Sequence, residues 1–234
     1  ESLAMGGCYL EERFNSKPFE NIYLGRDIFH NFSEKKFLNY VRNKKNLKLK
    51  LNFSPNEAAK LLSKGEVLAV ARAREEFGAR ALGNRSILAD PSNVKIIQKI
   101  NELIKNRDFW MPFALTILNN KHKKFILNKK DINSEHMTIG YDTVEKNHNL
   151  IEAGTHRYDK SVRPQILIKK SNHNFYNLII EFYKLKKIPA LLNTSLNLHG
   201  SPIASTIKEV LYTFENSDLK YLYINDKFLI KKIN

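Results

Sequence analysis

Apolar and polar positions change period several times along the chain, and each change predicts an element. Lys48 to Phe53 (KLKLNF) alternates with period two, as a half-buried strand does. Ser54-Pro55-Asn56-Glu57 then predicts a helix start: Ser54 caps, Pro55 suits the first turn, and Glu57 closes a capping box in a helix ending near Gly65. Glu66 to Arg72 (EVLAVAR) reads as a core strand running into a loop that bears glycines and arginines. Between residues 92 and 105, Ile96, Ile97, Ile100, Leu103 and Ile104 share one helical stripe. Residues 113–118 (FALTIL) read as a buried strand, and 119–164 as basic and polar loops around a strand from Met137 to Tyr141.

The remaining pattern is strand Gln165 to Lys169, helix 173–187 with Phe175, Leu178, Ile179 and Phe182 inward, and a short strand from Pro189 to Leu192. Thr206 and Glu209 offer a second capping box before a helix ending near Phe214. Two closing strands, 219–224 and 228–233, flank a tight Asn225-Asp226 turn. Residues 1–53 are irregular apart from the strand near their end. Interspersed helices and strands predict an α/β sheet domain, with one main domain after residue 53.

Composition narrows the class without choosing a function. The 234 residues are 42% hydrophobic and 27% charged, a globular balance. One cysteine, Cys8, excludes an internal disulfide and makes a cytoplasmic location the default, and no run reaches the ~18 apolar residues of a membrane span. The net charge of +15 fits nucleic acid, an anionic membrane or phosphorylated small molecules equally well. The lysine runs at 42–50 and 119–130 read first as solvated faces.

Candidate chemistry lies in clusters. Arg72, Arg74, Arg80 and Arg85 sit with two glycines directly after a strand, a loop suited to polyphosphate or acyl phosphate; the competing reading pairs them with Glu75, Glu76 and Asp90 on the surface. Lys105 and Arg107 face one way if the chain has left the helix by then, though cations at a helix C-terminus also complement its dipole. Asn193 to Asn197, followed by His199 and Gly200, would place neutral donors and acceptors at the mouth of a sheet; His199 alone reads as structural or solvent-facing. Thr155 to Gln165 adds His156 and Arg163 before a strand.

In order, the runs EFGARALGNRSILADP (Glu76 to Pro91), IN-x-x-I-K-x-R and PFA (Ile100 to Ala114), TH-x-x-D-x-x-x-RPQ, and LLNTS-x-N-x-HG-x-PI resemble the C-terminal domain of NodU/TobZ-type O-carbamoyltransferases. The resemblance covers residues 54–234; residues 1–53 would then be the remnant of, or linker from, a Kae1-like domain, whose tail Glu1 to Leu24 resembles. It implies a YrdC-like twisted mixed sheet with flanking helices. It also implies carbamoyladenylate formation from carbamoyl phosphate and ATP with Mg²⁺. Lys105 and Arg107 match the K-x-R element, Ser195 and Asn197 the S-x-N element, Arg80 and Arg85 the arginines of the R-A-L-G-x-R-S loop, and Arg163 the arginine of the D-G-T-x-R-x-Q element, with Thr194 and His156 as secondary candidates. No residue of this chain is implied as a metal ligand; iron, acceptor binding and carbamoyl transfer are implied for a Kae1-like domain, in cis or in trans.

Three positions depart from the family pattern. Met111 stands where Arg is usual, Lys160 where Gly is usual in Asp-Gly-Thr, and Leu196 where Phe is usual. The first two, with the short match to the Kae1-like part, leave a catalytically degenerate scaffold as the alternative reading. A nucleic-acid module is disfavoured because the basic runs are not interleaved with aromatics in a stacking pattern.

Overall fold

The computed structural model describes residues 2–12, 15, 17, 19–105 and 112–233. Helix α1 (Ser2–Glu11) opens the chain, and Ser33 caps α2 (Glu34–Arg42) by accepting the Lys36 N–H. The alternating segment forms β1 (Leu47–Lys50), and Ser54 and Glu57 close the capping box of α3 (Pro55–Ser63). Next come β2 (Leu68–Ala71), β3 (Arg85–Ala89) and α4 (Lys95–Ile100), which widens into a π turn at Asn101–Lys105. The rest is β4 (Ala114–Leu118), β5 (Gln165–Leu167), α5 (His173–Lys186), β6 (Ala190–Ser195), α6 (Ile207–Glu215), β7 (Tyr221–Ile224) and β8 (Phe228–Lys232).

All eight strands form one mixed sheet in the order β1-β8-β7-β2-β3-β6-β4-β5. The pairs β2–β7 and β4–β5 are parallel and the others antiparallel. Helices flank it: α3 lies against α5, and α6 against β2. Asn225 and Asp226 both adopt positive φ, 47° and 54°, the backbone that a tight β7–β8 hairpin needs. No helix among the described residues is long and apolar enough to cross a membrane.

Three expectations are corrected. Residues 28–53 are not a linker, because β1 pairs with β8 and Ile28, Phe37, Val41 and Phe53 sit in the same core as the rest. Residues 85–89 are a central strand rather than loop; their inward polar residues, Arg85 and Ser86, hide it from an apolar count. Residues 137–141 form no strand, only the isolated bridge Tyr141–Val162, since Met137 takes φ 56° and breaks the extended run.

The registers Ala71↔Arg85, Ser86↔Ser195, Ala114↔Asn193 and Thr116↔Gln165 have a functional consequence. They bring the ends of β2 and β6 and the beginnings of β3, β4 and β5 to one edge of the sheet. Every motif named above therefore enters or leaves the sheet on that side.

Candidate functional site at one end of the sheet

The loop between β2 and β3 is built on a buried carboxylate. Glu76, 7% exposed, accepts the N–H groups of Leu82 and Asn84 on Oε1, both at 2.7 Å, and that of Arg85 at 3.3 Å. Burial is the largest influence on it and raises its pKa, against the lowering effect of those N–H bonds. The carbonyls of the same loop are held from below: Asn193 Nδ2 donates to Ala81, and Gln165 Nε2 and the Tyr23 hydroxyl donate to Leu82. Asn193 and Gln165 are themselves joined through Thr116 Oγ1. At Gly83, φ is +109° and a Cβ would stand 2.1 Å from the Phe175 ring, so the turn requires glycine.

This frame divides the four arginines. Arg85 is fully buried, and each of its five N–H donors has a main-chain acceptor: Ser205, Arg72, Asn84, Arg26 and Ala73 carbonyls at 2.6–3.3 Å. The expectation that Arg85 contacts substrate is therefore corrected, since no donor remains for a ligand. Arg72 is buried against Asp226 at 3.1 Å and lies over the rings of Phe175 and Tyr223. Arg74 donates to the carbonyls of Gly25 and Leu24. Arg80 differs from all three: it is exposed and makes no ion pair or hydrogen bond among the described residues. It also lines a groove of about 610 Å³ with Phe77, His136 and Tyr9, which Lys105, Ser195 and Asn197 do not line.

Arg163 lies before β5; partial burial, and then the like charge of Arg80, lower its pKa. An anion bound near both guanidinium groups would relieve that repulsion.

The second cluster centres on Lys105, 1% exposed at the end of the π turn. Its Nζ donates to Asn197 Oδ1 at 2.6 Å, Ser195 O at 2.5 Å and Ser195 Oγ at 3.2 Å. Ser195 Oγ in turn donates to Asn197 Oδ1 at 2.6 Å. The K-x-R and S-x-N elements, about ninety residues apart, therefore meet. Arg107 and Met111 lie outside the described residues.

Thr194 and His156 are not brought into that cluster. Thr194 pairs with Ile87 and faces the side of β6 opposite Asn193 and Ser195. His156 sits in a self-closed turn, where its Nδ1 meets Asp159 Oδ1 at 3.0 Å and the Ser161 N–H meets the same oxygen at 2.8 Å. Lys160 in that turn has φ 57°, a left-handed backbone that glycine adopts without strain and a lysine does not.

The described residues hold no group of three or more His, Cys, Asp or Glu able to bind a metal ion. Sequence reasoning missed Glu76 and Tyr23 as the loop's supports. Glu76 was legible only as a possible surface partner of the arginines, because its depth depends on which way the loop folds.

A family model described as "Carbamoyltransferase C-terminus" matches residues 59–232. This chain belongs to that family. As a carbamoyltransferase C-terminal domain, it is 35% identical over its whole length to the uncharacterized protein MJ1051 of Methanocaldococcus jannaschii, of which it spans 45%. It is 35% identical over 76% of its length to the nodulation protein NolNO of Sinorhizobium fredii, spanning 26% of that protein. The chain thus covers less than half of these relatives. Among solved structures, full-length HypF in a phosphate- and nucleotide-bound form superposes on 74% of this carbamoyltransferase domain and 21% of HypF, with TM-score 0.50 and 12% identity. P. abyssi Sua5 superposes on 74% of the domain and 48% of Sua5, with TM-score 0.50 and 13% identity. These likenesses show the YrdC-like fold.

Proposed function

We propose that this domain forms carbamoyladenylate from carbamoyl phosphate and ATP, as the C-terminal part of an O-carbamoyltransferase. The observation that carries the proposal is the hydrogen-bonded Lys105–Ser195–Asn197 cluster, set at the same side of the sheet as the loops that carry Arg80 and Arg163. Family membership supports the carbamoyl group, and the phosphate- and nucleotide-bound form of HypF, which shares the fold, fits the nucleotide.

The chemistry divides into two displacements. Carbamoyl phosphate first loses phosphate to water, giving carbamate. A carbamate oxygen then attacks the α-phosphorus of ATP, the α–β P–O bond breaks, and the electron pair leaves on pyrophosphate. No nucleophilic side chain is required, so the protein's work is positioning and charge neutralisation. Lys105 would exchange its side-chain acceptors, Ser195 Oγ and Asn197 Oδ1, for oxygens of the reacting groups, an exchange not open to Arg85, whose acceptors are all main-chain carbonyls; Arg80 and Arg163 would neutralise the phosphates, and Ser195 and Asn197 would orient them without added charge. Arg107 is expected beside Lys105. Mg²⁺ belongs with the nucleotide, since it is held chiefly by substrate phosphates and water. Transfer of the carbamoyl group to an acceptor hydroxyl is assigned to a Kae1-like domain, in cis or in trans.

The test is pyrophosphate release from Mg-ATP and carbamoyl phosphate. Lys105→Ala is expected to lower kcat at least about 100-fold. Absence of release in the unaltered protein, together with no heat of ATP binding, overturns the proposal and leaves a scaffold role for the domain.

A further inference from the structure

We infer that His199 is a positioning residue that fixes Lys105 from its backbone side. The loop 195–199 holds this lysine at both ends. At the side-chain end, the orientation of Asn197 is settled by its own partners: its Nδ2 donates to the carbonyls of Ser201 at 2.7 Å and Leu198 at 3.0 Å, so Oδ1 must be the atom that meets Lys105. At the backbone end, His199 Nδ1 lies 2.6 Å from the Lys105 carbonyl oxygen. A carbonyl only accepts, so the ring carries its proton on Nδ1.

The turn at Asn101–Lys105 is a π turn, wider than the α-helix it follows. Among the described residues, tertiary donors reach it from the Asp218 N–H, at 2.9 Å from the Leu103 carbonyl, and from the His199 ring, at 2.6 Å from that of Lys105. The loop that carries His199 is itself anchored, because the Leu196 N–H donates to the Arg85 carbonyl and Leu196 accepts from Ala204, both at 2.9 Å. A flexible four-carbon side chain is thereby tied at the carbonyl and at the ammonium to one rigid segment, which lowers the cost of holding it where a phosphate oxygen would arrive.

Two substitutions separate this role from general packing. Asn Nδ2 occupies the place of His Nδ1 on the side chain, one bond beyond Cγ, whereas Gln Nε2 extends one atom further. The full chain is labelled with acetic anhydride, and the rate at Lys105 is read by mass spectrometry against the exposed Lys48. His199→Ala and His199→Gln are expected to raise the Lys105 rate about fivefold, the equilibrium weight of one lost hydrogen bond, while His199→Asn stays at the unaltered rate. An unchanged rate in His199→Ala, or the same rise in His199→Asn, overturns the inference.

The kinetic consequence rests on the proposed adenylation. There, His199→Ala is expected to lower kcat about 10- to 100-fold with little change in KM, and to add nothing to the loss in Lys105→Ala. A protein that releases no pyrophosphate at all defeats the adenylation reading, while the labelling result still decides the role of His199. A further loss on the Lys105→Ala background shows that His199 acts elsewhere and overturns the inference.

Discussion

Arg80, in the β2–β3 loop, and Arg85, the first residue of β3, are five positions apart, yet the protein treats them in opposite ways. Around Arg85 the chain is tightly tied: Glu76 Oε1 gathers the N–H groups of Leu82, Asn84 and Arg85, and the Arg85 guanidinium gathers carbonyls from five residues. Arg80 has none of these ties among the described residues, and its charge is felt at Arg163. A cation whose every donor is held by main-chain carbonyls maintains shape. A cation with free donors, exposed to the like charge of another, is suited to an anion. Charge type and spacing do not separate these roles; only the inventory of donors and acceptors does.

The largest expected effect is at Arg85. Arg85→Met should destabilise the fold by about 3–5 kcal/mol in urea titrations, because five carbonyls each lose a donor, those of Arg72 and Asn84 in buried surroundings. If that variant is as stable as the parent, the division between the two arginines fails. Arg80→Ala should do the reverse, shifting stability by no more than about 0.5 kcal/mol while lowering pyrophosphate release about 100-fold. Equal losses of stability in the two variants would erase the contrast.

Glu76 sharpens the comparison through pH. Burial raises its pKa in the folded protein above the unfolded value, so the folded state holds the extra proton between the two. Stability is therefore greatest below the ordinary carboxylate range and falls as pH rises from there to the folded-state pKa. Glu76→Gln should remove this decline from thermal melts taken across the interval, and a decline of the same size in both proteins would refute the assignment. Glu57 has the opposite sign: hydrogen bonding to Lys50 and to the Ser54 N–H lowers its pKa to about 2, so its contribution is present above the unfolded value and is lost as pH falls toward 2. The smallest effect is expected at Lys160, where Lys160→Gly should stabilise the domain by up to about 1 kcal/mol by relieving positive φ; a loss of stability would mean that the lysine side chain contributes more than its backbone costs.

Elements with a clear period or cap were legible in the sequence: the Ser54 box, the inward stripe of α5 and the closing hairpin all appear where the pattern places them. Strand β3 was not, because two of its five residues are polar and become buried only through partners drawn from distant segments. In the site, the meeting of Lys105 with Ser195 and Asn197 was readable through motif resemblance, whereas local spacing says nothing about residues ninety positions apart. The saturation of Arg85 was unreadable for the same reason. Its partners are main-chain oxygens, which every residue possesses and no sequence pattern marks.

The reach of Arg85 also constrains how the protein is made. One of its partners, the Ser205 carbonyl, lies 120 residues downstream, and β2 and β1 wait for β7 and β8 to complete their side of the sheet. A nascent chain emerging from the ribosome therefore exposes the arginine loop long before its last acceptor is synthesised. The site is finished only after β7 and β8 have been made, so a product truncated before residue 205 would leave Arg85 short of one acceptor.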